Sequence, residues 1–283
     1  MATEGTIQFA LWRDSYDHEK PFMLFMDIPS ASSDQRSSNV DFSSARVDVH
    51  DIRDTKNSFT LDDHGFKVAH LEDAAKFEDH SVFHSEYLPA IEQLLRQEVE
   101  EADRILFFDW RRRNAAAQDR NNTNNLDDRN QFLHPATTAH VDQAPIAAIQ
   151  RIKEQLGTDA DQYLRGRVRI INVWRPVLHP VQDWPLAICD GTTVSKSDFL
   201  DVDQVRKDYV GSSMFMMKND SMRWHYLSNQ RPDEVLLFKQ FDSLDNAKAR
   251  FCPHSSFQLH GVPADAPPRV SVEVRALVLT KPL

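Results

Sequence analysis

Arg167-Val-Arg-Ile-Ile-Asn-Val-Trp174 is dense in β-branched and aromatic residues and halts at Arg175-Pro176, the signature of a largely buried strand. Four more runs of this kind follow it: Leu186-Ala-Ile-Cys189, Met222-Arg-Trp-His-Tyr226, Glu234-Val-Leu-Leu-Phe-Lys-Gln-Phe241 and Val270-Ser-Val-Glu-Val-Arg-Ala-Leu-Val-Leu279. Turn residues separate them. Upstream, Gln8-Phe-Ala-Leu-Trp12 and Arg46-Val-Asp-Val-His50 read as short strands and Ile105-Leu-Phe-Phe-Asp109 as a buried one. Three helices interrupt the pattern. Leu88 to Ile105 sets Leu88, Ile91, Leu94, Leu95 and Val99 on one stripe, opposite Glu98, Glu100 and Glu101. Pro145 to Leu156 opens on a proline. A third is expected from Ser197, as N-cap, through Val205. Separated strands with few helices predict a mainly β chain with helical flanks, a jelly roll in a single domain over 1–283. Residues 1–85, polar and Ser-rich around Ser30 to Ser38, are expected as an irregular N-terminal extension packed on that domain. Residues 114–131, crowded with Asn, Asp, Gln and Arg, are expected as a long loop, either a lid or a passive insertion.

Bulk properties exclude several functions. The 283 residues, 41% of them hydrophobic, are enough to bury a large core. With 33 basic and 43 acidic residues the formal charge is −10, which argues against nucleic acid or an anionic membrane as partner. No apolar run approaches the roughly 20 residues that span a bilayer. Two distant cysteines, Cys189 and Cys252, form neither a disulfide framework nor a zinc knuckle, and they fit a reducing, cytoplasmic setting. A homodimer stays open, because an apolar edge strand and an apolar dimer face read alike.

The chemistry centres on His140-Val-Asp142. Side chains i and i+2 of a strand share a face, so an imidazole and a carboxylate point together at one spot. One further histidine would complete the two-histidine, one-carboxylate set that holds iron(II) with three positions open. His254, in Cys252-Pro-His-Ser-Ser-Phe257, and His260, in Gln258-Leu-His-Gly261, are the candidates. On the last strand Arg269, Ser271, Glu273 and Arg275 share one face. A guanidinium beside a hydroxyl suits the far carboxylate of 2-oxoglutarate. Asn172, Trp174, Arg175, Trp224 and Tyr226 are further candidates for the substrate pocket, against a plain core role.

Six blocks carry a family resemblance: Ile171-Asn-Val-Trp-Arg-Pro176, Trp184-Pro-Leu-Ala-Ile-Cys-Asp190, Arg223-Trp-His-Tyr226, Asp233-Glu-Val-Leu-Leu-Phe-Lys-Gln-Phe-Asp-Ser243, Pro253-His-Ser-Ser-Phe257 and Arg269-Val-Ser-Val-Glu-Val-Arg275. In this order, over roughly residues 103–280, the chain resembles a family of microbial oxygenases. Its members are gibberellin-desaturase-like and cephalosporin-methoxylase-like proteins and fungal natural-product tailoring enzymes. The resemblance implies a double-stranded β-helix (a cupin-like jelly roll), with 103–280 as catalytic core, and iron(II) and 2-oxoglutarate as cofactors with O2 as co-substrate. It implies His140, Asp142 and His254 as ligands, in preference to His260, and Arg269, Ser271 and Arg275 around 2-oxoglutarate, with Arg269 favoured as its anchor. Val270 stands where the family has an acidic residue, and strand alternation turns that position away from the pocket. The reaction implied is hydroxylation, desaturation, ring closure or endoperoxidation of a small-molecule secondary metabolite. The rivals are an iron cupin dioxygenase without 2-oxoglutarate, which would not need Arg269 and Ser271, and a non-catalytic jelly-roll binding protein. A serine hydrolase lacks its GxSxG elbow.

Overall fold

Alternating apolar residues along the strands build two sheets that face each other. The computed structural model describes residues 2–72, 82–117, 128–129 and 131–281. Within them the strands are β1 (Ala2–Ala10), β2 (Phe22–Leu24), β3 (Phe42–Asp51), β4 (Phe66–His70), β5 (Arg104–Asn114), β6 (Phe132–Leu133), β7 (His140–Val141), β8 (Val168–Pro176), β9 (Leu186–Cys189), β10 (Phe199–Arg206), β11 (Tyr209–Met216), β12 (Trp224–Tyr226), β13 (Glu234–Asp242), β14 (His254–Ser256) and β15 (Val270–Leu279). One sheet runs β1-β3-β12-β9-β14-β7-β11-β10-β2 and the other β4-β13-β8-β15-β5-β6.

The six-stranded sheet is covered on both faces, which is why β8 and β13 are buried along their whole length and read as near-continuous apolar runs. On its outer face Ile171, Val173, Val235, Leu237, Val272 and Val274 pack against Ile91, Leu94 and Leu95 of the Leu88–Glu98 helix. Each fully buried aliphatic side chain there contributes roughly 1.5–3 kcal/mol. On its inner face Trp174, Leu236 and Phe238 meet Leu186 and Ile188 of the opposite sheet. The Pro145–Leu156 helix packs Ala148, Ile152 and Leu156 on Ile170, Phe241 and Leu277. At the foot of β13, Lys239 and Asp242 form a buried ion pair at 2.8 Å.

Two expectations change. The helix expected from Ser197 is a single 3-10 turn, Lys196–Asp198, that leads straight into β10. Ser195 and Asp198 do form a capping box, but the residues after it alternate, with Leu200 and Val202 inward and Asp201 and Asp203 toward solvent. β10 then pairs with β11 over its full length, and that ladder outweighs the cap. The polar stretch 1–85 is not irregular throughout. β1 and β3 pair from Ala2↔His50 to Ala10↔Phe42 and extend the nine-stranded sheet through β12. One face of β3 is solvated, so its composition looks like loop. Gly5 is required there, since a Cβ would come within 2.7 Å of the Phe257 ring. Most of the Asn-rich segment 114–131 lies outside the described residues.

Candidate metal centre

Two short strands carry the donor residues. β7 and β14 are antiparallel neighbours, and His254 pairs directly with His140, which sets the two imidazoles side by side with ring centroids 4.3 Å apart. Asp142 follows β7, on the same side as His140, while Val141 between them is buried in a separate cluster. Ligand atoms of His140, Asp142 and His254 all lie within 4.8 Å of one another. The spacing of the sequence motif is thereby converted into a three-sided donor set, with His254 rather than His260 as its third member.

The surrounding groups hold this set in a ligating state. His140 Nδ1 lies 2.8 Å from the Thr138 carbonyl, which can only accept, so Nδ1 is the donor there and Nε2 is the nitrogen left to ligate. Asp142 is clamped on both oxygens: Asn172 Nδ2 donates to Oδ2 at 2.6 Å and Arg275 Nη2 to Oδ1 at 2.8 Å. Gln240 Oε1 accepts from its backbone N–H at 2.8 Å. Burial pushes the Asp142 carboxyl up, but the Arg275 guanidinium and the two histidines outweigh it and hold it well below the usual carboxylate range. Burial, helped by His140, pushes His254 well below the usual imidazole range. An ionised carboxylate and neutral imidazoles are the forms that bind a divalent metal.

Beside the triad lies a second arrangement. Arg269 is fully buried at the start of β15. Its Nη1 donates to the Trp184 carbonyl at 2.6 Å and to Ser256 Oγ at 3.0 Å. Ser256 is two residues beyond His254 on β14, on the same face. Asp183 accepts the Arg269 backbone N–H, and the Trp174 ring lies under the guanidinium at 5.5 Å. Arg269 Nε and Nη2 and Ser271 Oγ are buried without a hydrogen-bond partner. Burial, with Arg113 adding to it, pushes the guanidinium down to about 9. Unpaired buried donors and a desolvated cation are what a carboxylate would satisfy. Arg275 is already engaged, with Asp142, Asp109 at 3.1 Å and Glu273 at 3.0 Å.

A cavity of about 1020 Å³ opens at His140 and Asp142, with Phe108, Trp110, Tyr209 and Phe215 in its described lining. The expected pocket residues separate. Asn172 touches Asp142, and Trp174 supports Arg269. Arg175, on the opposite face of β8, donates to Tyr87 Oη and the Pro232 carbonyl beneath the helix. Trp224 and Tyr226 are core, set edge-on against Phe9 and Phe257. None of these five is in the described cavity lining. Sequence reasoning missed Gln240 and the residues of β5. In Trp110-Arg-Arg-Arg-Asn114 strand alternation puts Arg111 and Arg113 on the cavity side, a signal hidden by the run of identical residues.

Two imidazoles and one carboxylate on one side of a metal position, between two sheets, are the donor set of the mononuclear non-haem iron oxygenases. Comparison with known proteins agrees. A family described as "Oxidoreductase/YMDC permease-like domain" matches residues 9–279, although among the described residues no helix is long and apolar enough to cross a membrane. The chain is 33% identical to the Fe(II)/2-oxoglutarate-dependent dioxygenase nvfI of Aspergillus novofumigatus over 254 residues, 86% of either chain. It is 31% identical to the hydroxylase/desaturase efuI of Hormonema carpetanum over 260 residues, again 86% of each. The solved structure of the iron and alpha-ketoglutarate-dependent endoperoxidase NvfI superposes with a TM-score of 0.84 at 28% identity, covering 99% of this chain and 98% of that one. The chain belongs to the Fe(II)/2-oxoglutarate-dependent dioxygenase family that these fungal relatives represent, and it is an oxidoreductase.

Proposed function

We propose that His140, Asp142 and His254 hold iron(II), that Arg269 with Ser271 anchors the distal carboxylate of 2-oxoglutarate, and that the enzyme oxidises a small-molecule secondary metabolite. The observation that carries this reading is the pairing of a three-residue donor set with a buried, half-unpaired Arg269 and a partnerless Ser271 Oγ on the facing sheet. An iron cupin dioxygenase that dispenses with 2-oxoglutarate would have no use for that pair. Iron and 2-oxoglutarate together supply activation of O2 and abstraction of hydrogen from a substrate C–H bond. The chain itself orients that bond, keeps Asp142 ionised through Arg275 and Asn172, and encloses the substrate in the cavity. Whether hydroxylation, desaturation, ring closure or endoperoxidation follows depends on how the substrate is held after that first step.

The architecture belongs to the same reading: the two facing sheets are the halves of a double-stranded β-helix, and 1–283 form one domain with the catalytic core at 103–280. Both cysteines are buried and free, which supports residence in the reducing cytoplasm. Anaerobic addition of iron(II) and 2-oxoglutarate tests the assignment through the weak visible charge-transfer band of the chelate. The band is expected in the wild type and not in His140→Ala. Its absence from the wild type, or its full strength in the variant, overturns the reading.

A further inference from the structure

The cavity beside the metal centre has an unusual electrostatic character. Its described lining carries six guanidinium groups, on Arg111, Arg113, Arg129, Arg151, Arg206 and Arg275, against the carboxylates of Asp109, Asp128 and Asp142. That surplus of three positive charges sits inside a chain whose formal charge is −10. Of the three carboxylates, Asp142 belongs to the donor set. Asp109 alone faces three cations: Arg275 at 3.1 Å, Arg111 at 3.2 Å and Arg129 at 3.3 Å. Burial pushes Arg111 down to about 10; Asp109 opposes this, and Arg275, Arg206 and Arg129 add to it.

Arg151 is held in a fixed pose on the Pro145–Leu156 helix. Its guanidinium lies over the rings of Phe108 and Tyr209, at 5.4 and 5.0 Å, and donates to Tyr209 Oη at 3.0 Å and Glu154 at 3.1 Å. Its Nε is buried without a partner. Crowded, desolvated cations destabilise a fold unless an anion joins them. The anchor at Arg269 and Ser271 is absent from the described cavity lining, so the distal carboxylate of 2-oxoglutarate in that cradle does not pair with Arg111 or Arg151.

We propose that the substrate enters as an ionised carboxylic acid, its carboxylate held by Arg111 and Arg151 and its ring system lying against Tyr209 and Phe215. The volume, about 1020 Å³, lies at the upper end of small-molecule sites and accommodates several fused rings. This inference rests on the oxygenase reading for the fate of the molecule, and on the cavity alone for its charge. With the carboxylate held by those two guanidinium groups, the apolar rings lie along Phe215, whose ring is 6.2 Å from that of His140, and present their C–H bonds to the donor set.

Matched pairs of acid and primary amide test it: 2-naphthoate with 2-naphthamide, and the tricyclic abietate with its amide. Each is titrated calorimetrically under nitrogen into the full-length protein loaded with iron(II) and 2-oxoglutarate. At least one acid is expected to bind ten-fold or more tightly than its amide. Arg111→Gln and Arg151→Gln should each remove most of that preference while amide affinity holds, and the corresponding lysine variants should restore part of it. Equal affinity of acid and amide, no saturable binding of any of the four, or equal weakening of both forms overturns the proposal. The chelate band is recorded in the same samples. If the wild type lacks it, the oxygenase reading fails, and the acid–amide comparison, repeated on metal-free protein, still decides the charge of the ligand.

Discussion

The two sheets divide the labour unequally. The six-stranded sheet has long strands, such as β8, β13 and β15, each nine or ten residues and buried on both faces. The nine-stranded sheet holds the donors on β7 and β14, strands of two and three residues. Strands this short have little pairing of their own, so the donor geometry depends on the opposite wall. Asn172 from β8, Gln240 from β13 and Arg275 from β15 all reach across to Asp142. The rigid sheet positions, and the looser one ligates.

Breaking the ligating side should have the largest effect. Asp142→Ala or His140→Ala is expected to lower iron(II) affinity by more than about 100-fold, read as loss of the chelate band, while the folded far-UV spectrum persists. Next comes the anchor on the rigid wall. Arg269→Ala should raise the 2-oxoglutarate concentration needed for half-saturation by about 100-fold, the worth of a desolvated charge-assisted contact, and Arg275→Ala should raise it less. The reverse order would exchange their roles. Support from the opposite wall ranks third. Asn172→Leu is expected to cost about 10-fold in iron affinity, and no change in affinity would mean that β7 positions Asp142 unaided.

The smallest effect separates the sheets by pH. His225, on β12, has both ring nitrogens buried and unpartnered, and burial pushes it down to about 4. Its folded value lies below its unfolded one. The unfolded chain therefore takes up the proton first as pH falls below about 6.5, and stability present above that value drains away toward pH 4. Between pH 6 and pH 5 the loss from this group should be about 1 kcal/mol. Urea unfolding of His225→Phe should show a shallower pH slope than the wild type, and an unchanged slope would remove His225 from the account.

Much of this was legible because side chains alternate along a strand, although β13 and β15 each break register once, beside Gln240 and Arg275. Parity alone set His140 and Asp142 toward one spot, and β9 and β15 run between the residues expected from their apolar runs. Arg275, on the Arg269 face, turns instead to Asp142, Asp109 and Glu273. The same rule, applied to β8, would have turned Arg175 away from Asn172 and Trp174. Trp224 and Tyr226 share a face, but a face says nothing about which layer lies above it, and here that layer is Phe9 and Phe257. The N-cap expected at Ser197 misled because a local start signal does not report the ladder that follows. The cavity arginines escaped because three in a row conceal their alternation. His254 over His260 followed from family resemblance and not from spacing.

The pairing of His254 with His140 has a consequence for the molecule as a whole. Those residues are far apart in the chain, yet they are nearest neighbours across a ladder that holds a single pair. A metal ion bound there acts as a clasp between the middle of the polypeptide and its C-terminal third, fastening two short segments that the backbone joins only weakly. At a free metal concentration 100 times its dissociation constant, such a clasp adds about 2.7 kcal/mol to the folded state. Bound iron would in this architecture fasten the fold as well as serve the chemistry, and a chelator should lower the melting temperature of the loaded protein while leaving it folded.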